Sequence, residues 1–145
     1  MNLRSIRRKY GQNYLIDKAV LYEMGNSINP KEKDIFIEIG PGRGALTDQI
    51  NKDDIKILAI DIDAQNIEHL ARKYNGPADI KFIHEDFLKF DVPSNANFHR
   101  IVGNLPYNIS TQIILKLVDD FEFIKDMHFL VQREVAEKIT GQKST

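Results

Sequence analysis

The sequence contains no cysteine, which excludes disulfides, thiolate metal sites and a cysteine nucleophile, and is compatible with a reducing cytoplasm. Its four histidines, His69, His84, His99 and His128, are scattered and form no ligand-spaced pair, so they read as surface or strand residues and no metal is expected. No run approaches the roughly 18 apolar residues of a membrane span. No apolar signal-peptide core follows the basic N-terminus. Internal repeats, low-complexity tracts and linkers are missing too. Charge of neither sign dominates: the formal net charge is −1, so any nucleic-acid binding must come from a local patch. What remains is 145 residues, 42% hydrophobic and 28% charged, the make-up of one soluble globular domain able to bury a core, and a cytoplasmic location is expected.

The most informative stretch is Ile35-Phe36-Ile37-Glu38-Ile39-Gly40-Pro41-Gly42-Arg43-Gly44. Its β-branched and aromatic start reads as a buried strand. Three glycines spaced two apart follow, then a helical pattern, Ala45 to Ile50. Strand, glycine turn and helix start make a nucleotide-binding corner, although such turns also close ordinary strand-to-helix connections. A second apolar strand, Ile57 to Ile60, ends on Asp61, where a nucleotide-binding sheet sets an acid against a ribose. Asn104-Leu105-Pro106-Tyr107 follows the apolar pair Ile101-Val102.

Arg4, Arg7, Arg8 and Lys9 form a basic arm that reads either as a solvated tail or as phosphate contacts to nucleic acid. Asp17 can cap a helix with Val20, Met24 and Ile28 recurring every four residues, ended by Asn29-Pro30. Asp63 can cap another, with Ala64, Ile67, Leu70, Ala71 and Tyr74 on one face, stopped at Asn75-Gly76-Pro77. Ile80 to His84 and His99 to Gly103 read as the third and fourth strands. Ser110 caps a helix with Ile113, Ile114, Leu117, Val118 and Phe121 as its apolar positions. A fifth strand is expected at Asp126 to Val131 and a further helix at Glu134 to Ile139. Strands alternating with helices predict an α/β, Rossmann-like parallel sheet flanked by helices. Gly40, Asp61, Asp86 and Asn104 then fall just past strand ends, the rim where such sheets bind ligands.

In chemical terms, Asp61 can accept two ribose hydroxyls and Asp86 an exocyclic purine amine. The Gly-x-Gly-x-Gly spacing differs from that of dinucleotide oxidoreductases and suits a nucleoside without a pyrophosphate. Asn104 offers an acceptor, proline fixes the backbone, and the Tyr107 ring can stack on a base. Acceptors converging on a conjugated amine favour its methylation, with no metal or covalent nucleophile. The residues alone leave alternatives open, since Asn-x-Pro-Tyr is more often a turn before a helix and Asp61 or Asp86 could each be a helix cap.

Gly11-Gln12-Asn13-Tyr14-Leu15, Glu38 to Gly44 and Gly103-Asn104-Leu105-Pro106-Tyr107-Asn108-Ile109-Ser110-Thr111 resemble the ribosomal RNA adenine N6,N6-dimethyltransferase family. Asp126 to Val135 is similar to its small-subunit branch, whose members dimethylate two adjacent adenines near the 3′ end of the small-subunit RNA. The resemblance implies an S-adenosylmethionine-dependent methyltransferase fold. It also implies cofactor contacts from Asn13, Leu15, Gly40, Asp61, Asp86 and Asn104, and a target adenine held by Asn104, Leu105, Pro106 and Tyr107. Tyr14 stands where phenylalanine is common and Asp61 where glutamate is common; both keep the needed chemistry.

By the same resemblance, residues 1–16 form an arm and cofactor-contacting segment and residues 17–145 the methyltransferase domain, on an immature small ribosomal subunit as substrate. Family members continue into two more strands and a small helical domain, so the chain resembles a truncated member. Met127, Phe129 and Val131 are then expected on an unpaired sheet edge. The expected behaviour is self-association or marginal stability, with poor methylation of ribosomal subunits. The competing readings are a cofactor- or RNA-binding module without turnover and the large-subunit, antibiotic-resistance branch. Methyltransferases of DNA amines or glutamine amides favour a second proline where Leu105 stands.

Overall fold

The computed structural model describes residues 17–94, 98–105 and 108–131. The basic arm, Asn13, Leu15, Pro106, Tyr107 and the helix expected at Glu134 to Ile139 lie outside the described residues. In chain order the elements are α1 (Lys18–Ile28), β1 (Ile35–Ile39), α2 (Ala45–Ile50), β2 (Lys56–Asp61), α3 (Ala64–Lys73) and β3 (Asp79–His84). A 3-10 turn (Phe87–Lys89), β4 (His99–Asn104), α4 (Ser110–Asp119), a second 3-10 turn (Phe121–Phe123) and β5 (Ile124–Leu130) follow. The described strands form one parallel sheet in the order β3-β2-β1-β4-β5. The strand order reverses between β1 and β4, which opens a crevice at their carboxyl ends.

Side chains alternate across each strand, and the sheet is buried on both faces. Phe36, Ile57, Ala59 and Val102 pack with Leu21, Met24 and Ile28 of α1 and Leu46 and Ile50 of α2. Ile37, Ile39, Ile60 and Ile101 pack on the other face with Phe87, Ile113 and Leu117. Two-sided burial is why the strands read as continuous apolar runs.

Strand and helix placement follows the sequence, but several faces do not. Asp17 and Asp63 cap α1 and α3 as expected, each accepting from the amide two residues on. In α1 the buried residues are Leu21, Met24 and Ile28, whereas Val20 is 41% exposed. Four-residue steps overshoot a helical turn by about 40° each, so Val20 lies roughly 80° from Ile28. In α3, Asn66 and Leu70 are buried, Ile67 and Tyr74 are half-buried, and Ala64 and Ala71 are exposed. Ser110 is the first helical residue, not the cap; Ile109 holds that place without a side-chain bond. α4 ends at Asp119, so Phe121 falls in the 3-10 turn on a different rotation, and it and Val118 are exposed.

β5 begins at Ile124, two residues earlier than expected, because Ile124 is buried and pairs with His99. It is a border of the sheet among the described residues. Met127, Phe129 and Val131 are not bare on that edge: they are half-buried against the second core cluster.

Candidate functional site

The rim holds four of the expected residues in spatial order. Asp86 follows β3, Asp61 ends β2, Gly40 follows β1 and Asn104 ends β4. At about 4.8 Å per strand, β3 to β4 spans roughly 15 Å. Gly40, Gly42 and Gly44 have φ of 66°, 58° and 92°, the left-handed region that side chains disfavour. A Cβ on Gly40 would stand 3.7 Å from the Asn104 carbonyl oxygen, so the crevice between β1 and β4 is lined by backbone. Gly103 is needed for strand approach: a Cβ there would meet the Ile39 carbonyl oxygen at 2.8 Å. Leu105 is buried beside this contact.

Asp61 is 2% exposed. Its Oδ2 accepts from the Gly42 amide at 3.1 Å and Asn66 Nδ2 at 3.2 Å, and its Oδ1 accepts from the Asp63 amide at 2.9 Å. A carboxylate has about four acceptor positions, so three are filled. Burial raises its pKa, and these three hydrogen bonds work against that rise. Asp61 therefore braces the glycine turn and keeps room for about one further donor, not the two expected. It is no helix cap; Asp63 is. Asp86 is half-buried, and its Oδ1 caps the 3-10 turn by accepting from the Leu88 amide at 3.0 Å. Its Oδ2 faces no donor among the described residues. The cap reading of Asp86 holds, and its Oδ2 is left over as an acceptor among the described residues. Ile62, directly after Asp61, is 39% exposed and gives the rim an apolar shelf. His84 Nε2 lies 3.1 Å from the Ile62 carbonyl oxygen.

Glu38 is a residue that the sequence pattern did not single out. It is 1% exposed and accepts from Thr47 Oγ1 at 2.5 Å. Burial pushes its pKa from 4.5 to about 8; the Thr47 hydrogen bond lowers it, and the charges of Asp61 and Asp48 raise it further. The signal was a lone acid inside an apolar strand. Asn66 was missed similarly, being a polar residue four positions from Leu70 on the inward face of α3. His99 is also buried, at the opposite end of the sheet, and burial lowers its pKa.

The raised Glu38 pKa gives a pH prediction. The unfolded chain loses this proton near 4.5 while the folded chain keeps it up to about 8. Stability attached to Glu38 is therefore full below 4.5 and falls as pH rises towards 8, by at most roughly 4–5 kcal/mol. Glu38→Gln should flatten that slope and be the more stable protein at pH 9. Urea unfolding of both proteins from pH 5 to 9 reads it, and parallel curves would assign the slope elsewhere.

No helix among the described residues is long and apolar enough to cross a membrane, and none of their acidic and histidine side chains form a group of three able to hold a metal.

A family model described as ribosomal RNA adenine dimethylase matches residues 3–145. Ribosomal RNA small subunit methyltransferase A of Coxiella burnetii is 39% identical over 144 residues, 98% of this chain and 56% of that protein. The protein of the same name from Pseudomonas fluorescens is 42% identical over 138 residues, 93% of this chain and 51% of its own. The chain thus spans about half the length of the curated relatives it matches. Among solved structures, the 23S rRNA methyltransferase ErmE aligns with a TM-score of 0.77 at 26% identity, covering 89% of this chain and 52% of that one. A dimethyladenosine transferase from Plasmodium falciparum aligns at 0.72 and 28% identity, covering 88% and 46%.

Proposed function

Because the chain belongs to the ribosomal RNA adenine dimethylase family, we propose that its sheet rim binds S-adenosylmethionine for methylation of ribosomal RNA. The target is the N6 amine of two adjacent adenines near the 3′ end of the small-subunit RNA, in an immature small ribosomal subunit in the cytoplasm. One observation carries this reading: the order along the rim of a free acceptor, a buried acid, a glycine turn and an asparagine at the switch point. That order suits a purine amine at Asp86, a ribose hydroxyl at Asp61, the amino-acid end of the cofactor at Gly40, and the acceptor amine at Asn104. The small-subunit branch is favoured over the large-subunit one by the identities of 39–42% to proteins named for the small subunit, against 26% to ErmE.

The residues fit such a group. The backbone lining at Gly40 leaves space that a Cβ would occupy, and the acids Asp61 and Asp86 suit a ligand with a cationic centre. When bound, S-adenosylmethionine supplies an electrophilic methyl group on a sulfonium. Asn104 accepts a hydrogen bond from the target amine, aligning its lone pair and stabilising the positive charge that develops on nitrogen. Leu105, Pro106 and Tyr107 would hold the target adenine, as the family resemblance implies. By the same resemblance, Asn13 and Leu15 of segment 1–16 would contribute to cofactor binding, and residues 17–145 would be the methyltransferase domain. The backbone border of β5 is a candidate surface for self-association.

Calorimetry with S-adenosylmethionine tests the cofactor half. Asp61→Ala should weaken binding by roughly 1–3 kcal/mol, the scale of a hydrogen bond involving a buried acid together with its brace on Gly42. Undiminished affinity would remove Asp61 from the site. Tritiated methyl transfer to unmethylated ribosomal subunits tests the substrate half. Dimethyladenosine in small-subunit RNA is the expected product, and label confined to large-subunit RNA would move the chain to the other branch.

A further inference from the structure

The glycine turn is held on more than one side. Asp61 anchors the Gly42 amide from within the sheet. The next two residues are held from outside, by the C-terminal end of α3. Lys73 Nζ donates to the Arg43 carbonyl at 3.3 Å, and the Tyr74 hydroxyl shares its single proton between the Gly44 carbonyl, at 2.9 Å, and Asp48 Oδ1, at 2.5 Å. Lys73 also pairs with Asp48 at 3.6 Å, and its ammonium lies 5.1 Å from the Tyr74 ring centroid. The Tyr74 ring is itself fixed against Phe82 at 5.9 Å. The fit is close: a Cβ on Gly44 would meet the Tyr74 oxygen at 2.5 Å and Leu70 Cδ2 at 3.0 Å. The Gly44 carbonyl that Tyr74 engages also accepts the first hydrogen bond of α2, from the Asp48 amide at 2.9 Å.

We propose that Lys73 and Tyr74 are positioning residues that latch the Gly42-Arg43-Gly44 turn in its binding shape. This rests on the reading of the rim as an S-adenosylmethionine site. Three successive residues of a turn with left-handed glycines have many other conformations, and ordering them on binding costs affinity. A latch from α3 settles that ordering beforehand. It also couples the C-terminal end of α3 to cofactor affinity, apart from the Asn66 bond to Asp61 that the same helix makes nearer its start. Neither residue touches the reacting atoms.

The test uses the whole chain and Tyr74→Phe, which keeps the ring on Phe82 and removes only the hydroxyl. The first measurement is amide hydrogen exchange without cofactor. The Gly44 and Asp48 amides, bonded to the Pro41 and Gly44 carbonyls, should exchange about five- to ten-fold faster in the variant, the effect of one net hydrogen bond. The second is calorimetry with S-adenosylmethionine, in which affinity should fall by a similar factor while the thermal midpoint stays within a few degrees. Lys73→Met should shift both readouts in the same direction by less, since its contact is longer and more exposed. Unchanged exchange in Tyr74→Phe overturns the latch whatever the cofactor. Faster exchange with unchanged affinity overturns the positioning role. A folded wild type that takes up no S-adenosylmethionine, with exchange still faster in the variant, overturns the cofactor reading and leaves Tyr74 a brace of the fold only.

Discussion

Asn104→Ala is expected to lower methyl transfer about 10²–10³-fold, the scale for losing one preorganised group that acts on charge as it develops. Affinity for S-adenosylmethionine should change far less, because in the role proposed for Asn104 an acceptor gains most of its strength in the transition state. Asn104 is the last residue of β4, and its backbone carbonyl lies across the crevice from Gly40. Behind it, Gly103 lets β4 approach β1 closely enough that any larger residue would strike the Ile39 carbonyl. The backbone of Asn104 is therefore set by strand pairing, with Gly103 opposite Ile39 of β1 and Asn104 opposite Leu130 of β5. Single-turnover transfer from tritiated donor, beside calorimetry on the same protein, separates the two effects. Equal rates for the two proteins would take Asn104 out of the chemistry.

A large expected effect on stability at neutral pH comes from the other end of the sheet. Arg100 on β4 is buried, with its side chain 7% exposed. Its Nε and Nη2 donate to Asp126 of β5 at 3.0–3.2 Å, and its Nη1 donates to Asp34 at 2.8 Å. It also reaches the Ile28 and Asn29 carbonyls that end α1, and it lies over the Phe36 ring. One guanidinium thus closes α1, the β1 approach and β5 around β4. Arg100→Met should cost about 3–5 kcal/mol, because two carboxylates are left without their cation. That is a large part of the roughly 5–15 kcal/mol that holds a domain together. Burial alone would raise the Asp126 pKa, but Arg100 and then His128 outweigh it and hold it below 3.8. A depressed acid contributes stability above its unfolded pKa and loses it as pH falls below that value. The wild type should therefore lose this contribution below about pH 3.8, and Arg100→Met should not. Urea unfolding at neutral pH and in acid reads both. A variant within 1 kcal/mol of wild type would show the network to be neutral.

These two residues differ in how far the sequence revealed them. The place of Asn104 was legible because it follows the apolar pair Ile101-Val102, which puts it at the carboxyl end of a strand, although Asn-x-Pro-Tyr alone also reads as a turn before a helix. Arg100 was read only as part of a strand. Nothing local shows that Asp34, 66 positions earlier, and Asp126, 26 positions later, converge on it. Asp61 stood between these cases. Its place at a strand end was visible, but the three donors that fill it come from Gly42, Asp63 and Asn66. Two are local and one crosses from the neighbouring strand's turn, so its remaining capacity could not be counted from spacing.

What the sequence determined by itself is the alternation of elements, the two side-chain helix caps, the glycine turn and the rim position of Gly40, Asp61, Asp86 and Asn104. These depend on period, chirality and strand ends, which are local or follow from the right-handed crossover. Tertiary structure alone decided which helix faces are buried, as with Leu21 in place of Val20 and Asn66 beside Leu70. It also decided that Glu38 holds its proton near neutral pH and that Tyr74 closes on Gly44. Those outcomes depend on what lies opposite each side chain, and burial, desolvation and steric contact are properties of a pair of surfaces that no single stretch of chain contains.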